Sequence, residues 1–75
     1  MNAKEILYAL DNGNPFNIAG VEYRRMSAGK GVLIGSAYVP AERYAIDDTS
    51  GVEAVILYGY DNVPLCFLYP DSWGK

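Results

Sequence analysis

Apolar positions recur at two different spacings along these 75 residues. Ala3, Ile6, Leu7 and Leu10 stand at i, i+3, i+4 and i+7, one stripe of a helix, while Lys4, Glu5 and Asp11 fall off it. Asn2, three residues before Glu5, has the makings of a capping box, the asparagine side chain serving free amides and the glutamate reaching back. Asp11-Asn12-Gly13, followed by Pro15, ends the element, with Asn12 or Gly13 taking the left-handed position. The spacing predicts a helix of roughly ten residues, too short to persist alone in water. Its stripe therefore needs a sheet to lie on.

Beyond Pro15 the period falls to two. Phe16-Asn17-Ile18 and Val21 to Met26 alternate around Ala19-Gly20, which predicts two short strands and a tight turn. Ser27 to Gly31 is a flexible hairpin loop, and Val32 to Val39 reads as a third strand with a bulge or close backbone approach at Gly35. Pro40 to Ala45 is compatible with one helical turn or with an irregular crossing over the sheet end. Ile46 to Gly51 reads as a polar surface loop. Val52 to Tyr60 and Leu65 to Tyr69 are rich in β-branched and aromatic residues, and Asp61-Asn62 supplies the turn between them. Pro64 has no amide donor, so the last strand should start beyond it or lie at a sheet edge. The tail Asp71 to Lys75 is expected to fray unless Trp73 docks it. The predicted class is α+β: one short N-terminal helix on a twisted antiparallel sheet of about five strands, in a single domain spanning residues 1–75.

Composition narrows the chemistry. The chain has no histidine, which removes the usual general base near neutral pH and the commonest zinc ligand. Cys66 is the lone cysteine, so no internal disulfide forms and a reducing cytoplasm is expected. Between Leu65 and Phe67 it reads as a buried, inert thiol, although a dimer linked through it, or another homodimer, is compatible with the sequence. Lys4, Glu5 and the absence of a long apolar run predict no signal peptide and no membrane span. No cofactor is implied.

The formal charge of −3 is unevenly spread. Residues 1–45 hold five cations and four anions, residues 46–75 five anions and only Lys75. An acidic C-terminal half repels nucleic acid and favours basic protein surfaces, unless it serves only solubility. Ser27-Ala28-Gly29-Lys30-Gly31 lacks the glycine and the Ser or Thr that a phosphate-binding loop requires. Arg24, Arg25 and Lys30 are the only basic cluster, and neighbouring arginines on a strand point to opposite faces. Asp47 to Tyr58 lacks the spacing of a calcium loop. The seven tyrosines and one tryptophan either close a thin core or form a protein-binding surface. Tyr58 and Tyr60, two apart, are expected to share a face, beside Tyr69.

The opening Ala3-Lys4-Glu5-Ile6-Leu7-Tyr8-Ala9-Leu10-Asp11-Asn12-Gly13, followed by Pro15-Phe16-Asn17-Ile18 and Val21-Glu22-Tyr23, resembles the start of small phage-encoded proteins in which a short helix leads into a β-meander. Such proteins include anti-defence families, among them small acidic anti-CRISPR proteins and nucleotide-sequestering anti-Thoeris proteins. The Trp-rich C-terminal pattern of the latter is not found from Val63 to Lys75. The resemblance implies a non-enzymatic inhibitor in the cytoplasm of a bacterial host, blocking a nucleic-acid-binding surface of a CRISPR-Cas type complex without contacting nucleic acid or membrane. Asp47, Asp48, Glu53 and Asp61 are the expected charge partners of a basic protein surface, and Tyr44, Tyr58, Tyr60 and Trp73 the expected apolar anchors. The alternatives are an oligomeric nucleotide or small-ligand sponge built on Arg24, Arg25 and Lys30, and a structural phage component.

Overall fold

The computed structural model describes residues 2–26, 28–49 and 51–70. Helix α1 runs from Ala3 to Asn12. Both arms of the capping box are present: Asn2 Oδ1 accepts from the Glu5 amide at 2.9 Å, and Glu5 Oε1 from the Asn2 amide at 2.8 Å. At the other end Gly13 adopts φ 72°, and the amides of Gly13 and Asn14 donate back to Leu10 and Ala9, the Schellman arrangement. The last turn has no basic residue of its own. Arg25 supplies one from a strand, its Nη1 donating to the Asp11 carbonyl at 3.0 Å, where a positive charge opposes the helix dipole. Arg25 Nε is buried without a hydrogen-bond partner, which offsets part of that gain.

Among the described residues seven strands follow: β1 (Phe16–Ile18), β2 (Val21–Arg25), β3 (Val32–Ile34), β4 (Ala37–Val39), β5 (Arg43–Asp47), β6 (Ala54–Tyr58) and β7 (Pro64–Leu68). They form two antiparallel sheets, ordered β1-β2-β3-β4 and β5-β6-β7. The α+β class holds, but the expected single sheet of about five strands does not.

Two local features raise the strand count. Gly35 takes φ 59° and Ile34 pairs with Ala37 across Gly35-Ser36, so these two residues are a hairpin turn and the run from Val32 to Val39 becomes two strands. Arg43 to Asp47 then alternates as a strand, with Tyr44 and Ile46 packed on the core, rather than forming a helical turn or a loop. Asp61 and Asn62 both adopt φ 59° and make the expected tight reversal, part of a short 3-10 turn over Tyr60–Asn62. Pro64 opens β7 at the sheet edge, where its missing donor is tolerated.

One apolar cluster joins the helix and both sheets. Ala3, Ile6, Ala9 and Leu10 of α1 meet Phe16, Ile18 and Val32 of the first sheet and Val55, Leu57 and Leu68 of the second. Strand β6 is buried along most of its length, as the middle strand of three. Phe16 and Tyr23, opposite each other on β1 and β2, stack with ring centroids 5.2 Å apart.

Candidate functional site

Strand register decides which side chains share a surface. In the second sheet, Tyr44, Ile46, Val55, Leu57, Cys66 and Leu68 turn inward to the core. The intervening positions, Arg43, Ala45 and Asp47 on β5, Ala54, Ile56 and Tyr58 on β6, and Phe67 on β7, make the outer face. Ile56 lies at its centre, only 4% exposed and flanked by Ala45 and Phe67, while Phe67 is 49% exposed. Tyr69, one residue beyond the inward Leu68, is 40% exposed at the Ala54 end.

At the other end the Arg43 guanidinium carbon sits 3.9 Å from the Tyr58 ring centroid, and Arg43 Nε donates to Asn62 Oδ1 at 2.7 Å. The aromatic face thus ends in a cation held by a ring below and a turn amide beside it. A register shift at Leu57/Tyr58 leaves Leu65 as an extra residue on β7, its side chain leaning over Gly59, where a Cβ would stand 2.7 Å from Leu65 Cδ1.

The expected site residues distribute over this frame unevenly. Asp47 ends β5 and Asp48 and Glu53 lie in the β5–β6 connection, all at one end of the sheet, and the Asp47 carboxylate accepts the Thr49 hydroxyl at 2.9 and 3.2 Å. Asp61 is in the turn at the opposite end, so the four carboxylates do not converge. Tyr58 is on the outer face, but Tyr44 points into the core and donates its hydroxyl to the Lys30 carbonyl. Tyr60 leaves the strand for the turn and is 81% exposed, so it does not share a strand face with Tyr58, and the residue opposite Tyr58 is Pro64 rather than Tyr69. Trp73 lies outside the described residues. Phe67 and Arg43 complete the surface without having been expected there; the Ile56–Phe67 pairing and the Arg43–Tyr58 stack are contacts between separate strands, which local spacing does not encode.

The basic residues separate as well. Arg24 lies on the outer face of the first sheet across from Leu33, whereas Arg25 turns inward to the helix end. Lys30 Nζ stands 5.8 Å from the Tyr44 ring centroid. Burial raises the Tyr44 pKa, partly countered by Arg25 nearby. Burial likewise raises the Tyr23 hydroxyl and the Cys66 thiol; for Tyr23 the neighbouring Cys66 adds to the effect, and for Cys66 the Phe67 backbone bond opposes it. An open groove of about 460 Å³ runs beside the helix start, lined by Lys4, Glu5, Tyr8, Asn14 and Phe16 among others. Among the described residues no three His, Cys, Asp or Glu side chains gather as a metal site, and no helix is long and apolar enough to cross a membrane. Comparison with protein-family models, curated proteins and solved structures finds no match.

Proposed function

We propose that this protein is a non-enzymatic, phage-encoded inhibitor that binds a basic protein surface and so blocks nucleic-acid binding by a bacterial defence complex of CRISPR-Cas type. The observation that carries the reading is the outer face of β5-β6-β7. Phe67 is exposed on β7 and Tyr69 just beyond it, and the end of the same sheet at which β5 passes to β6 carries Asp47, Asp48 and Glu53. Aromatic rings on a preformed surface give contact area at low entropic cost, and a carboxylate rim speeds and orients docking on a basic partner. The resemblance of the opening helix and meander to phage anti-defence proteins supplies the class of partner.

The test is phage plating on bacteria with an active CRISPR-Cas system, with and without expression of the protein. Wild type should restore plaques. Phe67→Ala, and separately the pair Asp48→Lys and Glu53→Lys, should lose that effect while the purified variants stay folded by circular dichroism. Restoration undiminished by either change would remove this surface from the reading, and no restoration across several such systems would remove the class of target.

A further inference from the structure

We infer that β5 is a self-pairing edge: two copies of this chain join antiparallel along Arg43–Asp47, making one six-stranded sheet from two β5-β6-β7 sheets. The inference is independent of the defence-complex reading, because it concerns a strand edge and a second copy. Strand β5 pairs with β6 on one side; among the described residues no strand pairs with the other, and no turn or loop backbone bond reaches Arg43 to Asp47. Such an edge presents backbone donors and acceptors ready to template another strand. Helix α1 leaves it open, because the helix packs against β5 and β6 alike and so lies over the inner face, not along the edge.

The other edges offer less. β1 and β4 are three residues each, too short to hold a partner. β7 opens on Pro64, and the register shift that leaves Leu65 as an extra residue reduces its regular run to Cys66, Phe67 and Leu68. β5 instead keeps five consecutive residues in register with β6, from Arg43 opposite Tyr58 to Asp47 opposite Ala54, with no proline among them.

The charges on β5 complement their own reverse. When all five residues of both copies pair, Ala45 falls on the two-fold axis opposite itself, Tyr44 opposite Ile46, and Arg43 opposite the second copy's Asp47 at both ends. Residues opposite each other share a face, so Arg43 and Asp47 meet on the outer face, where both already point. Sliding the register by two residues either way keeps the faces matched but breaks both ion pairs and shortens the ladder. In the single chain Arg43 leans toward β6, 3.9 Å from the Tyr58 ring centroid, and Asp47 accepts from Thr49, so the ion pairs form by exchange of these contacts. Their charge selects the register more than it adds affinity. One residue outside the strand, Glu42 faces the second copy's Asp48, a like pair that opposes association. With that pair, and an edge smaller than the ~800 Å² per partner of a standard stable interface, the dimer is reversible and depends on concentration.

Sedimentation equilibrium of the full chain, raised to about 1 mM, tests this. The expected mass climbs from 8.2 kDa toward twice that value. Arg43→Asp and Asp47→Arg each set like charges opposite each other at both ends, and each alone should raise the dissociation constant about tenfold or more. Mixed in equal amounts, the two variants face each other with opposite charges at both ends and should dimerise as wild type does. A second measurement covers the case in which either variant misfolds: Ala45→Cys on a Cys66→Ala background should form a cross-linked dimer on oxidation, whereas Val21→Cys on the same background should not. Wild type remaining at single-chain mass at the highest concentration, either variant alone dimerising as wild type does, a mixture of folded variants no heavier than its components, or equal cross-linking at both cysteine positions would each overturn the proposal.

Discussion

Cys66 shows how one side chain's surroundings set its chemistry. It packs, partly buried, against the core cluster from β7, and burial raises its thiol pKa, so little thiolate forms at neutral pH. Alkylation by iodoacetamide at pH 7.5 should run at least tenfold slower in the folded chain than in urea, as read by mass spectrometry; equal rates would mean that the thiol is open to solvent. Tyr23 and Tyr44 are raised in the same direction and for the same leading reason. A group that holds its proton more tightly when folded contributes stability below its ordinary pKa and loses that contribution as pH rises through the raised value. The urea midpoint should therefore decline above about pH 8.5, where unfolded thiols begin to ionise, and fall further near the ordinary tyrosine range of about 10. Cys66→Ala should remove the earlier decline and leave the later one. A midpoint that is flat to pH 11, or that rises, would contradict the assignment.

Among the elements, α1 is specified most locally. Its cap, stripe and stop all sit within thirteen residues of sequence, and the predicted roughly ten-residue helix matches the observed Ala3–Asn12. Because the cap is a pair of reciprocal bonds, Asn2→Ala should lower stability by about 1 kcal/mol, measured by urea unfolding followed by circular dichroism, while Asn2→Ser should recover most of it. The β1–β2 hairpin and the Asp61-Asn62 reversal were legible for a similar reason, since Gly20, Asp61 and Asn62, which tolerate positive φ, stand where the chain turns, although Ala19 takes φ 53° as well. The division into two sheets was not. Gly35-Ser36 sits inside an otherwise unbroken apolar run, where a bulge and a hairpin give the same local pattern, and only the pairing of Ile34 with Ala37 across it distinguishes them. Arg43 to Asp47 alternates with period two, but Pro40 and the adjacent charges Glu42 and Arg43 imitate a helix start. The outer face is legible in part: Phe67 and Tyr69 alternate visibly, whereas the Arg43 cation over Tyr58 depends on a β5–β6 register that the sequence does not state.

At the scale of the whole molecule, the two sheets share no strand, yet neither buries its inner face alone. Val32 of the first sheet and Val55, Leu57 and Leu68 of the second belong to one cluster closed by Ile6 and Leu10 of the helix. With a single cysteine no disulfide holds the parts together, so the cluster is what couples them. If that coupling is complete, damage to one sheet must weaken the other by the same free energy. Val32→Ala opens a cavity on the first-sheet side and should cost about 2 kcal/mol, a sizeable share of the ~4–11 kcal/mol that a chain of this length has in total. Native-state hydrogen exchange then decides the matter at β6, which Val32 does not pair with. Amides of Ile56 and Leu57 that open only with the whole molecule should lose protection by about thirtyfold, the equivalent of that same cost. Unchanged protection at Ile56 and Leu57 would show instead that the three-stranded sheet stands on its own and that the helix holds the other sheet as a separate unit.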